Sequence, residues 1–88
     1  MDSLTDERLK REFKVTEKAL KGVKIIVPKS HEHYKNALYF LDTAKRYYED
    51  AKYFRDKGDK ASAFGALNYA FGWIDAGKNI GLFEENNY

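Results

Sequence analysis

From Ser30 to Lys57 the chain runs about 28 residues without a glycine or proline, bounded by the breakers Pro28 and Gly58. At 1.5 Å per residue this predicts a helix of ~42 Å, capped at Ser30. Along it Ala37, Phe40, Ala44, Tyr47, Ala51 and Phe54 follow an unbroken 3-4 heptad, and Tyr34, Leu38, Leu41 and Tyr48 form a second apolar stripe beside the first. A helix with two adjacent apolar stripes meets two neighbours. That requirement sets the architecture.

Gly58 reads as the residue that ends this second helix, and Asp59 as the N-cap of a third. So short a turn makes the two helices antiparallel. The third helix spans about 60–82, with the heptad Ala63, Leu67, Ala70, Ile74, Gly77 and Gly81. Folded about the turn, Phe54 falls opposite Ala63, Tyr47 opposite Ala70 and Phe40 opposite Gly77, while Ala51 faces Leu67 and Ala44 faces Ile74. Large residues thus meet small ones across the seam, as close packing requires. On this reading Gly77 makes room for Phe40, and Gly81 either permits close approach to Ala37 or begins the end of the helix.

The other neighbour of helix 2 (about 30–57) comes from the N-terminal segment, helix 1, over about 5–21. Leu9, Phe13, Thr16 and Leu20 recur at 4-3-4 spacing. Thr5 is its N-cap, with Leu4 and Leu9 as a hydrophobic staple, and Asp6 and Glu7 suit the positive end of the helix dipole. Helix 1 should lie between the second stripe of helix 2 and a flank of helix 3 carrying Phe64, Phe71 and Leu82. The apolar connection 23–28 closes one end of the core; a strand there has no visible partner. The expectation is one all-α domain over 1–88, a three-helix up-down-up antiparallel bundle.

Composition narrows the function classes. No cysteine is present, which removes disulfides and thiolate metal sites. A net charge of +2 is no polyanion-binder's footprint. No apolar run approaches the roughly 20 residues of a membrane span and no signal-peptide pattern opens the sequence, so a soluble cytoplasmic protein is expected, with no membrane partner.

Two features of helix 3 are not consumed by the packing. Tyr69, Trp73 and Ile80 point to the flank away from helix 1, beside Tyr39 and the edge of Tyr47. Gly65 and Gly72 face outward, with Asn68, Asp75 and Asn79 on the adjoining stripe. Interior helical glycines cost about 1 kcal/mol each relative to alanine, so Gly65 and Gly72 mark either a tolerated loss or close approach by a partner helix or ligand. Grouped exposed aromatics mark contact surfaces, with Trp and Tyr the favoured anchors. The reading is a non-catalytic interaction module, a homodimer or the binder of another protein through Tyr39, Tyr69, Trp73 and Ile80, with Trp73 its dominant anchor. The alternative is a small-molecule-binding protein or enzyme using the Asn68 and Asp75 face.

The run "DAKYFRDKGDKASAFGALNYAFGWIDAGKNIGLF", residues 50–83, resembles the C-terminal hairpin of an archaeal family catalogued as domain of unknown function 357. The turn Lys57-Gly58-Asp59 and the segment Gly72-Trp73-Ile74-Asp75-Ala76-Gly77 carry most of the likeness. It covers about two-fifths of the chain strongly and the rest by length and helix layout. The resemblance implies a small three-helix bundle from an archaeon and supplies no catalytic or binding residues.

Other chemistry finds little footing. His31-Glu32-His33 is the cluster that suggests a metal, but residues two apart on a helix point about 200° from each other, and a third ligand is wanted. These read as solvated residues at the first turn of helix 2, with no metal and no cofactor. No nucleophile stands beside a base, and no glycine-rich phosphate loop follows a strand. Lys10, Arg11, Lys14, Lys18, Lys21 and Lys24 line helix 1, a weaker case for nucleic acid because Glu7 and Glu17 interrupt the field.

Overall fold

The computed structural model describes residues 5–85. In chain order the elements are helix α1 (Asp6–Gly22), strand β1 (Val23–Ile25), helices α2 (Tyr34–Asp56) and α3 (Lys60–Asn79), and strand β2 (Phe83–Glu85). The helices form the expected three-helix bundle, with α2 and α3 its most extensive pairing.

Local chemistry sets the helix ends. Thr5 Oγ1 accepts from the Arg8 N–H at 3.1 Å and starts α1. Leu4, the other half of the staple, lies outside the described residues; its partner Leu9 is buried. At the end of α2 the Asp59 N–H bonds to the Phe54 carbonyl at 2.9 Å and the Gly58 N–H to that of Arg55 at 3.0 Å. Gly58 has φ +79, so this is a Schellman motif. Asp59 then accepts from the Ser62 N–H at 3.0 Å and opens α3.

Two carboxyls at these ends are held below the ordinary aspartate range. For Asp6 the cause is a hydrogen bond from Lys60, 2.8 Å away, then the charge of that lysine. For Asp59 it is the Ser62 side chain, then the Ser62 N–H. A carboxyl depressed on folding stabilises above its unfolded pKa, about 3.9, and that stabilisation disappears as pH falls through the folded value. The melting temperature should therefore lose these two contributions below about pH 4. Asp59→Asn still caps α3 but does not titrate, so it should match the parent at pH 7 and lose less on acidification. An unchanged acid slope in Asp6→Asn/Asp59→Asn would remove both groups from the account.

Ser30 does not cap α2. The N-cap position is His33, without a side-chain cap bond. Residues 28–34 are instead spent in successive turns: the His31 N–H bonds to the Pro28 carbonyl at 2.9 Å and the Tyr34 N–H to the His31 carbonyl at 3.0 Å. The imidazole Nδ1 of His31 accepts from the His33 N–H at 3.1 Å. These bonds hold the chain in turns and delay the helix by about one turn.

α3 likewise stops at Asn79 and not at 82. Gly81 has φ +80, and a second Schellman pair follows, Leu82 N–H to Gly77 carbonyl at 2.9 Å and Gly81 N–H to Lys78 carbonyl at 3.2 Å. The chain then turns back as β2, the partner that the 23–28 segment lacked in the sequence reading. β1 and β2 are antiparallel, with Val23 opposite Glu85, Lys24 opposite Glu84 and Ile25 opposite Phe83. Opposite charges at Lys24 and Glu84 suit that register.

The core is stacked in three layers. Leu9, Phe13, Ala51, Ala63, Ala66 and Leu67 form the first, Ala19, Ala44 and Ile74 the second, and Ala37, Leu82 and Phe83 the third beneath β1. α2 buries only Ala37, Ala44 and Ala51, each at 0% exposure, so its backbone lies close to α3. The pairs Ala51/Leu67 and Ala44/Ile74 share layers as expected. Gly77 does not. A Cβ there would run into the ring of Phe83, and Phe40 packs at the edge of Trp73, ring centroids 4.9 Å apart. Helix 1 lies on the expected side, with Phe13 edge-on to Tyr48 at 5.8 Å. Leu82, however, belongs to the third layer and Phe71 is exposed.

Candidate functional site

A strip of α3 on the side away from α1 and α2 carries the small residues Ala61, Gly65, Asn68, Gly72, Ala76 and Asn79, with exposed Asp75 beside them. Nothing lies within 4 Å of a Cβ built on Gly65 or Gly72. Neither glycine is therefore needed for packing within the chain. Asn68, Asp75 and Asn79 are exposed on the same face, and Asn79 Nδ2 reaches Asp75 Oδ2 at 3.5 Å.

Aromatic rings wall this strip on the α2 side. Tyr39 and Phe40 both meet Trp73 edge-on, at 5.7 and 4.9 Å, and Tyr47 stacks on Tyr69 at 5.2 Å. Tyr39, Tyr69 and Ile80 remain 61%, 64% and 64% exposed. Trp73 is partly buried, because it also packs against Ala19, Ala44 and Ile74 in the second layer. A shallow groove of about 290 Å³ runs along the flank, lined by Phe40, Asn68, Tyr69, Gly72, Trp73 and Ala76.

On the α1 side a second cleft, of about 250 Å³, is lined by Glu12, Val15, Thr16, Leu67, Asn68, Phe71, Gly72 and Asp75. Phe71 is 38% exposed at its edge. Asn68 and Gly72 line both depressions, so one strip of nearly bare helix separates them. The expected Asn68 and Asp75 face is thus one wall of a cleft whose other wall, Glu12 and Val15, comes from α1.

The sequence reading passed over one signal here. From Ala61 to Ile74, "ASAFGALNYAFGWI", α3 carries no charged residue through about four turns, in a chain that is 34% charged. A helix exposed on one face ordinarily has its charges there, and depletion of charge is characteristic of interface centres. Cations do cover aromatics elsewhere. Among the described residues Arg55 lies over Phe13 at 4.7 Å, Arg8 over Phe64 at 5.2 Å, Lys52 over Tyr48 at 5.2 Å and Lys57 over Tyr53 at 5.5 Å. None of those four contacts involves the rings of the Tyr39–Trp73 flank.

The remaining candidates are dispersed. His31 and His33 precede α2 in the turn and do not occupy its first turn; their rings are 5.3 Å apart. Among the described residues no three metal-binding side chains gather. Lys14, Lys18 and Lys21 share a shallow surface with Glu17, whose carboxylate is 3.8 Å from Lys21. Among the described residues no helix is long and apolar enough to cross a membrane.

Fold and surface together define a small helical bundle, closed at one end by a two-stranded clamp, whose third helix carries no charge from Ala61 to Ile74. The chain belongs to the family described as protein of unknown function (DUF357), whose model matches residues 11–83. No curated protein and no solved structure matches it.

Proposed function

We propose that this chain is a non-catalytic helical interaction module that associates with a second copy of itself through the α2–α3 flank. The observation that carries this reading is the exposed apolar flank of Tyr39, Tyr69 and Ile80 set against a helix with no charge over 61–74. Isologous two-fold contacts are the commonest form of association among small soluble proteins. Absence of cysteine fits a reducing compartment such as the cytoplasm, and the archaeal source implied by the resemblance belongs to the same reading.

Sedimentation velocity over a wide range of protein concentration tests it. The parent should sediment as a dimer, and Tyr69→Glu should shift it to a folded monomer by placing a charge in the flank. Truncating a central aromatic anchor typically costs ~2 kcal/mol of association, so the dissociation constant should rise by about 30-fold or more. A parent that remains monomeric throughout rejects self-association and leaves the flank to a different protein.

A second reading attaches to the α1–α3 cleft. Its carboxylates Glu12 and Asp75, beside the Asn68 amide and the Phe71 ring, suit a small organic cation. Such a ligand would raise the melting temperature by mass action in the parent and not in Glu12→Gln/Asp75→Asn.

A further inference from the structure

The flank reading leaves open how two copies would meet, and three observations restrict the answer. The outward strip of α3 is almost bare backbone at Gly65 and Gly72. It is bordered by a depression on each side, and both depressions share Asn68 and Gly72. One exposed ring stands beside each depression, Tyr69 on the α2 side and Phe71 on the α1 side.

Consider an antiparallel pair of α3 helices related by a two-fold axis level with residue 70. Such an axis places the α2 sides of the copies together and the α1 sides together. Gly72 then faces Asn68 of the second copy, and Gly65 faces Asp75. Tyr69 of the second copy falls at the level of residue 71, between Tyr69 and Trp73, where the α2-side groove lies. Phe71 of the second copy falls at the level of residue 69, within the span of the α1-side cleft. One axis therefore seats both rings.

Charge and area agree with this arrangement. The two Asp75 carboxylates would stand ten residues apart along the helix direction, ~15 Å, beyond the ~8–10 Å screening length at ordinary ionic strength. At about 200 Å² per large side chain, the exposed fractions of Tyr39, Tyr69, Phe71 and Ile80 leave roughly 450 Å² uncovered. That is more than half of the ~800 Å² each partner contributes to a standard stable interface. The run Ala61–Ile74 is free of charge, and a second α3 presents the same charge-free run to it, with each Asp75 set over the bare backbone at Gly65.

We infer that the chain dimerises by an antiparallel α3–α3 crossing at Asn68 and Gly72, in which Tyr69 and Phe71 of each copy enter the two grooves of the other. This rests on the self-association proposed above but makes a different residue decisive. Gly72→Leu meets open space in the single chain, so it should fold and melt no lower than the isolated parent chain. In the crossing its side chain would hold the helices apart, and the dissociation constant should rise by at least about 100-fold. A second measurement uses the absence of native cysteine. Asn68→Cys chains mixed with Gly72→Cys chains should form the mixed disulfide faster than either forms a disulfide with itself.

The outcomes separate the two readings. A parent monomeric at every concentration overturns both. A parent dimer that Tyr69→Glu dissociates but Gly72→Leu leaves intact overturns the crossing and retains the flank. Preferential Asn68→Cys self-crosslinking also overturns the crossing, since it would move the axis to residue 68.

Discussion

Phe83→Ala should destabilise the chain by about 3–5 kcal/mol, the range for deleting a buried aromatic ring, as measured by urea unfolding. Phe83 is 2% exposed, packs with Ala37 and Leu82, and lies against the face of α3 opened by Gly77. It also holds β2 in place, because a two-stranded ribbon is marginal without a packed face. The same geometry fixes the behaviour of Gly77. Gly77→Ala gains about 1 kcal/mol of helix propensity but drives a Cβ into the Phe83 ring, and overpacking costs about 1–3 kcal/mol. It should therefore destabilise the parent and stabilise Phe83→Ala, where the ring is gone. The change of sign is the diagnostic, since residues in contact are coupled in a double-mutant cycle. A Gly77→Ala protein that unfolds at higher urea than the parent would take Phe83 off Gly77.

That ring also marks where the sequence stopped being legible. The α2–α3 hairpin could be read because its signals are local: a heptad on each side, a glycine suited to positive φ and an aspartate cap. Gly77 could be recognised as a gap, but its occupant was read as Phe40 and is Phe83. The occupant lies beyond Gly81 in a three-residue strand whose pairing depends on β1, about 60 residues earlier in the chain. Similarly, Ser30 looked like a cap because the competing bonds of Pro28 and His31 depend on turn geometry that residue type does not specify. In the candidate site, Tyr39, Tyr69 and Trp73 were brought together as expected, since helical spacing places them on one flank. Phe71 was assigned to the groove under α1. It lies instead at the cleft edge, because α1 fills that groove with Leu9 and Phe13 nearer the Gly58 end. The cleft wall from Glu12 and Val15 required the position of α1 itself. The uncharged run 61–74, by contrast, was available in the sequence and is its clearest pointer to the outward face of α3.

Trp73→Ala should lower stability by about 2–3 kcal/mol, less than the 3–5 kcal/mol for full burial of a large aromatic, because part of the indole is exposed. For a domain of this size the melting temperature should fall by roughly 10–20 °C. The sequence alone made Trp73 a surface anchor whose loss yields a folded monomer. In the structure its indole covers the second core layer at Ala19, Ala44 and Ile74 and supports the rings of Tyr39 and Phe40. Truncation therefore leaves a cavity inside each chain as well as changing the flank. The two effects can be separated by making the substitution in a Gly72→Leu chain held at concentrations where it is monomeric. A cost residing in the second layer persists there undiminished and does not vary with protein concentration. Trp73→Phe, which retains an aromatic edge for Phe40, should recover much of it. A Trp73→Ala substitution that costs nothing in the monomer would place the whole contribution of the indole at an interface, and the second layer would then have to be closed without it.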